Sequence, residues 1–570
     1  MSDRTQFKSY NKLQTVKPLP AALLAAFFTV SASAAGPIVP DAGSILQQIQ
    51  PVTPPPASSA AMGLTIEGMP EGKPPPSFPF VVKRIRISGN TVFSTSTLHA
   101  LVGDAEGKSL TLSKLGELAT RVTNFYHAHG YLLARAIIPA QAIQDGVVVV
   151  EVSEARYGAI RLDNHSRVND ALLENTLSPL ESGQPVEQVK LDHSLLLLAD
   201  IPGVSVNSTL KAGENVGTSD LLVNATSGPA VLGSIVLDNY GNPYTGRIQV
   251  GATADLIDPL HIGDILSANA LSSGRGINFG RIAYESLLDG EGTRIGASYS
   301  ALHYIVGGPL SDLDAHGTAQ IESLWAKQTF VRSRNVNLYG QLQYDRMQLS
   351  DDIDVGALQT GRHLENWTMS LAGDARDRIL SRGITIWRFD WTGGRNRFDN
   401  LAAQLADAAT ARTQEGFSKG TANICRLQSL SPRDELYLAF SGQWANGDLD
   451  SSEKMTAGGP NTVRAYDMGA ISGDTGYLGT AEFRHDLGRA WGSQWQAIAF
   501  LDSANVTVNK TIWVTGPNSA DLSGAGVGLN WVGPNRWDAK ICIAKPIGPI
   551  PALVTNAASN RVWIETSKGF

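Results

Sequence analysis

Charge is scarce in this 570-residue chain: Asp, Glu, Lys and Arg together make up 17% of it, against roughly 25% in soluble globular domains. Cysteine is scarcer still. Only Cys425 and Cys542 are present, which excludes a disulfide framework and a cysteine-clustered structural zinc site. Long apolar runs are missing too, because no segment beyond the leader supplies the ~20 consecutive apolar residues of a membrane helix. A helical membrane protein is thereby excluded. The 53 acidic residues outnumber the 46 basic ones, for a net charge of −7, which argues against binding nucleic acid through phosphate neutralisation. What the chain does have is glycine, 57 residues, with 42% hydrophobic content. A barrel that crosses a membrane with alternating strands fits these conditions.

Arg4, Lys8, Lys12 and Lys17 precede an apolar run from Leu19 to Val30 and the small residues Ala32-Ser33-Ala34. This is the pattern of a secretory signal peptide, residues 1–34; the run is short for the alternative, a membrane anchor. Within 35–50, the stretch from Asp41 to Gln50 has helical spacing, with Ile45, Leu46 and Ile49 on one side and Asp41 near the positive end. Pro51 stops it. Nine prolines fall within 51–79, and at ~3.1 Å per residue this linker spans about 90 Å, enough to thread a pore. A plain flexible spacer is the other reading.

Two small modules follow, 80–155 and 156–228. In the first, a strand from Val81 sets Val82, Arg84 and Arg86 on one face and Val81, Lys83, Ile85 and Ile87 on the other. Leu112, Leu115, Leu118, Ala119, Val122 and Phe125 mark a helix from Leu110 to His129, ended at Gly130. Strands at Leu132 to Ile138 and Val147 to Val152 complete a β-α-α-β-β order. The order repeats with a strand at Tyr157 to Leu162, helices at Val168 to Leu177 and Val186 to Ala199, and strands at Gly203 to Leu210 and Leu221 to Ala225. His127 and His129, two residues apart, point to different sides of their helix rather than to one metal.

From 229 to 570 the chain holds 40 of the 57 glycines and all 11 tryptophans. Ile248, Val250, Ala252, Ala254 and Leu256 alternate with polar or tiny residues, and the pattern recurs at Val336 to Tyr344, Leu436 to Trp444, Trp495 to Leu501, Ala525 to Trp531 and Trp537 to Ile543. One apolar face and one polar or glycine-lined face suit a wall between lipid and water. About 16 strands of ~10 residues use roughly half of this segment and leave the rest for turns and loops. Along Trp495 to Leu501 the outward members are Trp495, Ala497, Ala499 and Leu501, so Gln494, Gln496, Phe500 and Asp502 face the lumen. Cys542 shares a face with Asp538 and Lys540, which makes it lumenal; Cys425 is ambiguous. Gly524-x-Gly526-x-Gly528 looks like a nucleotide loop, but no helix follows and the alternation makes it a strand. Asp351-Asp352-Ile353-Asp354 reads as a solvated acidic loop tip, with a loop cation as the alternative. The chain ends in a strand from Arg561 to Phe570, with Lys568 where an apolar residue is expected.

The paired modules resemble tandem POTRA domains through Ile87-Ser88-Gly89-Asn90 with Phe93, Gly130-Tyr131, Ala134-Arg135-Ala136, Ile201-Pro202-Gly203 and Gly217-Thr218-Ser219-Asp220-Leu221. In the barrel segment, Gly458-Gly459 and Val463-Arg464-Ala465-Tyr466 lead into Gly473-Asp474-Thr475-Gly476-Tyr477-Leu478, then Glu482-Phe483-Arg484 and Phe500-Leu501-Asp502. With the hairpin from Leu237 to Gly246, this ordered set resembles the two-partner secretion transporters (TpsB, ShlB/FhaC/HecB-like) of the POTRA-plus-barrel outer-membrane superfamily. Ala465 stands where many members carry Gly. The resemblance implies two βααββ POTRA domains before a transmembrane antiparallel β-barrel, periplasmic modules and a monomeric pore in the outer membrane of a Gram-negative bacterium. It implies a large unfolded exoprotein as cognate partner (adhesin, haemolysin or contact-dependent toxin), recognised by the POTRA domains. No cofactor, metal, enzymatic activity, nucleic acid or small-molecule substrate is expected. Its latch residues are Val463, Arg464, Ala465 and Tyr466 against Phe500 and Asp502. Glu482 and Arg484 are lumenal charges, Gly473, Asp474 and Gly476 shape the loop root, and the short N-terminal helix closes the pore. The rival reading is an outer-membrane assembly or insertion factor; a passive porin has no need of the modules.

Overall fold

A computed structural model describes residues 39–49, 63–66, 77–555 and 558–570. The expected signal peptide and most of the linker lie outside the described residues.

In the first module, Arg84–Ser88 runs parallel to Val147–Ser153, which pairs antiparallel with Arg135–Ile137. The helices Thr95–His99 and Leu112–Ala128 pack Leu98, Leu115, Leu118, Ala119 and Val122 onto Ile85, Val148, Val150 and Val152. Val82 is buried together with Ile85, contrary to the expected face. Strand pairing stops after Val81 and resumes at Arg84, so the two-residue alternation is interrupted there. Gly89, at φ 82°, brings the chain against the backbone of Val152, where a Cβ would collide. His127 and His129 turn to different carbonyls, those of Ala134 and Phe125.

The second module repeats the plan with helices Asp170–Leu177 and Gln188–Ala199. Its four-stranded sheet has the order Gly63–Ile66, Val204–Ala212, Thr218–Ser227, Arg156–His165. The first of these strands comes from the proline-rich linker and was not expected.

Sixteen antiparallel strands, from Val231–Asp238 to Arg561–Gly569, close a barrel. The outward face carries Ile248, Val250, Ile282, Leu324, Trp367, Trp391, Leu501 and Ile543, all exposed. Strands reach 20 residues at Leu358–Asp377, longer than the ~10 that a bilayer requires, because the central hairpins stay paired beyond it. Turns and loops therefore take less of the segment than expected. The closing seam pairs five positions, from Ser234 opposite Gly569 to Asp238 opposite Glu565. The Asn239 side chain extends it by donating to the Val562 carbonyl at 2.9 Å and accepting from the Ile564 N–H at 2.8 Å. Cys425 follows the exposed Ile424 and so belongs to the lumenal register.

The second module rests on the turns at one end of the barrel. Arg332 donates to Asp200 at 2.6 and 2.8 Å, and Arg334 donates to Asp192 at 2.7 and 3.0 Å. Leu287 of the barrel joins the core of the module.

Candidate functional site: two clasps in the lumen

The long connection between strands Asp434–Ala445 and Thr475–Ala490 does not leave the barrel. It forms a short ribbon, Met455–Ala457 with Ile471–Gly473, and its tip lies buried, with Val463, Ala465 and Tyr466 packed on Ile498, Phe500 and Leu522. Gly458 and Gly459, at φ 103° and 117°, make the bend that L side chains resist.

At the tip the Arg464 guanidinium is clasped by the wall. Its Nε and Nη2 donate to Asp502 at 2.9 and 2.8 Å, its backbone N–H donates to the same carboxylate at 3.1 Å, and its Nη1 donates to Glu482. The Phe500 ring lies 3.3 Å from the guanidinium carbon, a cation–π contact. Asp502 and Glu482 are in turn held by Thr480 at 3.0 Å and Arg484 at 2.8 Å. Arg484 also stacks over Tyr437 at 4.7 Å. The Arg464 carbonyl accepts from Trp563 Nε1 at 2.7 Å, on the last strand. Desolvated, bidentate pairing of this kind is much stronger than a surface ion pair. Asp467, three residues on, accepts from Arg247 at 2.7 Å and from Arg561.

Glycines make the approach possible. A Cβ on Gly524 would collide with the Ala465 methyl, and one on Gly526 with the Phe500 ring. The glycine-lined face of strand Ser519–Val532 is thus the bed of the loop tip. At the root, Asp474 is fully buried and accepts from Leu449 N–H at 3.0 Å, Lys454 Nζ at 3.0 Å and Lys510 N–H at 2.7 Å. Gly473 and Gly476 lie against the carbonyls of Thr507 and Asn505 with no room for a side chain.

A second clasp holds the N-terminal helix, Ala42–Ile49. Asp41 caps it, accepting from Ser44 N–H at 2.8 Å. Ile45 and Leu46 bury against the barrel interior. Arg362, only 4% exposed, faces Asp41 at 3.2 Å, Asp450 at 2.7 Å and Asp351. Asp351 also accepts from Ala42 N–H at 2.7 Å and Tyr304 at 2.6 Å. Asp351 is therefore no solvated tip. It lies within the paired strand Val336–Ile353 and its carboxylate points at the helix. The helix also touches the long loop: Ser451 donates to Asp41 at 2.6 Å, Gln47 donates to the Ser452 carbonyl, and Gly43 lies so close to Ser451 that a Cβ does not fit.

Sequence reasoning places Arg464 opposite Asp502 and gives Glu482 only as a lumenal charge; the structure brings all three side chains together. It missed Arg362 and the carboxylates around it. The one available signal was the capping pattern Asp41-x-x-Ser44 ahead of an apolar stripe, which marks a helix start but not its seat.

Two family models match: residues 217–531 fit the haemolysin secretion/activation protein ShlB/FhaC/HecB, and residues 80–155 fit the ShlB-type POTRA domain. The chain is 27% identical over 505 residues to the heme/hemopexin transporter protein HuxB of Haemophilus influenzae, covering 86% of this chain and 87% of that one. It is 25% identical over 408 residues to the hemolysin transporter protein ShlB of Serratia marcescens, covering 69% and 70%. The solved structure of CdiB from Escherichia coli superposes with a TM-score of 0.70 at 19% identity, covering 88% of this chain and 93% of that one. With its closed sixteen-stranded barrel and paired modules, the chain belongs to the ShlB/FhaC/HecB family, the TpsB transporters of the outer membrane.

Proposed function

We propose that this transporter accepts one cognate, large, unfolded exoprotein at its periplasmic modules and passes it through its own lumen to the cell surface. The cargo class is that of its relatives, a haemolysin, a contact-dependent toxin or a haem-binding protein, or else an adhesin; the pore works as a monomer after removal of the leader. One observation carries the reading: the lumen is filled by two segments, a loop rooted at both ends in the wall and a short helix, each held by polar clasps rather than by pairing with the wall strands. Such fillers can leave without dismantling the wall. The Arg464 clasp acts as the conformational latch and the N-terminal helix as the resting plug. A passive porin has no use for either, and an insertion factor has no use for a lumenal plug.

The test is reconstitution with the product of the neighbouring reading frame. The intact chain is expected to deliver that protein across liposome membranes, and deletion of residues 36–50 is expected to raise conductance in planar bilayers. Failure to deliver, with the barrel folded, overturns the reading.

A further inference from the structure

The turns at the module end of the barrel fall into two sets. Those against the second module carry acids or committed bases: Asp258 and Asp264 in the first, Asp289 and Glu291 in the second, and at the third Arg332 and Arg334, paired with Asp200 and Asp192. The other four turns follow strands Leu358–Asp377, Glu415–Ser429, Thr475–Ala490 and Ser519–Val532, and the antiparallel order puts them at the same end. Each carries exposed arginine, Arg378 and Arg382 in the first, then Arg433, Arg489 and Arg536. Among the described residues, none of these five guanidiniums has an ion-pair or hydrogen-bond partner. The nearby acids do not answer them. Asp377 is bonded to Arg426 and Asp434 to His485, while Glu435, Asp486 and Asp538 take the lumenal register.

The same turns expose large apolar side chains. Leu380 is 93% exposed and Trp491 91%, with Leu430 and Leu487 exposed as well. Trp491 and Trp531 flank Trp495 at 6.3 Å between ring centres, and Trp537 opens the next strand. Tryptophan collects where hydrocarbon gives way to headgroups, so this row marks the level of the inner-leaflet phosphates. Lys568 belongs to it. In the outward register it lies between Ile235 and Trp537 of the neighbouring strands, its Nζ 5.7 Å from the centre of the Trp537 ring and donating to the Asn535 carbonyl in the turn. A lysine that runs along an apolar wall and turns its ammonium to the rim is snorkelling to the interface, which accounts for a charge where an apolar residue is expected. Guanidiniums beside exposed apolar tips match a phosphate above acyl chains.

We propose that the four turns away from the modules form a docking rim for anionic phospholipid of the inner leaflet, in which the five arginines bind headgroup phosphates while Leu380 and Trp491 enter the acyl boundary. Phosphatidylglycerol offers such a rim a phosphate without the ammonium that neutralises it in a zwitterionic lipid. The lipid holds the barrel on the side away from the modules, whose own turns present acids or arginines already paired.

The test is native mass spectrometry of the full chain in detergent micelles, titrated with dioleoylphosphatidylglycerol or with dioleoylphosphatidylcholine. The parent is expected to bind the anionic lipid at least roughly tenfold more tightly. Arg378→Gln/Arg382→Gln/Arg433→Gln/Arg489→Gln/Arg536→Gln is expected to bring that preference below about threefold. These side chains are exposed and unpartnered, so the variant barrel should keep its heat-modifiable mobility; Arg489→Gln/Arg536→Gln alone, expected to at least halve the preference, serves where it does not. A control that removes five exposed charges from the modules, Lys83→Gln/Arg84→Gln/Arg86→Gln/Lys108→Gln/Arg161→Gln, is expected to leave the preference at its parent value. No preference in the parent, an undiminished one in the rim variants, or an equal fall in the module control overturns the proposal. Displacement of the lipid by equimolar glycerol phosphate overturns it too, because the rim would then be a site for a free anion. None of these readouts depends on secretion.

Discussion

Arg464 stands between two carboxylates, and the consequences of losing it follow from what stays behind. In Arg464→Ala, Asp502 remains buried without its cation and Glu482 keeps only Arg484, and breaking a buried pair from one side destabilises by about 3–5 kcal/mol. The loop is then expected to leave the lumen and become sensitive to protease added outside cells, while the barrel keeps its heat-modifiable mobility. Arg464→Lys keeps the charge but not the fork that holds Asp502 and Glu482 at once, so an intermediate protection is expected. A different residue governs the modules. Glu154 is buried, which on its own raises a carboxyl pKa, but it accepts from Thr91 N–H at 2.7 Å, Val92 N–H at 2.8 Å and Tyr126 at 2.8 Å, and the net effect holds its pKa below the usual range. A depressed carboxyl stabilises the fold above its unfolded pKa of about 4.3 and loses that contribution as pH falls through the folded value. Amide protection factors in the first module, taken relative to the intrinsic exchange rate at each pH, are therefore expected to fall below about pH 4. Glu154→Gln should exchange faster at neutral pH and show a weaker acid dependence.

At the scale of elements, the strands were legible and the segments inside the barrel only partly so. Alternation at Trp495 to Leu501 set Asp502 inward because one face of a strand repeats every second residue, and a loop bearing one arginine between glycines supplied its partner. Arg362 offered no such signal. It sits in strand Leu358–Asp377 like any inward charge, and its three acidic neighbours come from the N-terminal helix, an adjacent strand and the long loop. Asp351-Asp352-Ile353-Asp354 read as a turn because four polar-rich residues outweigh pairing that continues to Ile353. The linker strand was hidden by prolines around it. For the helix a measurable consequence follows. Arg362→Gln leaves Asp41, Asp351 and Asp450 facing one another without a cation, and like charges at such distances repel. The variant is expected to show more frequent open events in planar bilayers than the parent, approaching the chain lacking residues 36–50.

Across the whole molecule the two clasps are not independent, because one stretch of the long loop belongs to both. Asp450 faces Arg362, Ser451 and Ser452 touch the helix, and the same loop runs on to Arg464 at its tip. Asn242, on the first hairpin, closes the circuit by donating to Gln48 of the helix at 3.1 Å and to the Met468 carbonyl of the loop at 3.2 Å. Releasing the tip therefore removes part of the seat of the helix, and releasing the helix strips partners from the loop. Residues that share a network in this way show coupling energies of about 0.5–3 kcal/mol, whereas distant sites add. Open probability should be measured for the parent, Arg464→Ala, the chain without residues 36–50, and the two changes combined. We expect the combined chain to open less often than the product of the separate effects, since helix removal already achieves part of what loop release does. Strict additivity would mean that loop and helix leave the lumen independently and that the contacts at Ser451 and Asn242 carry no signal between them.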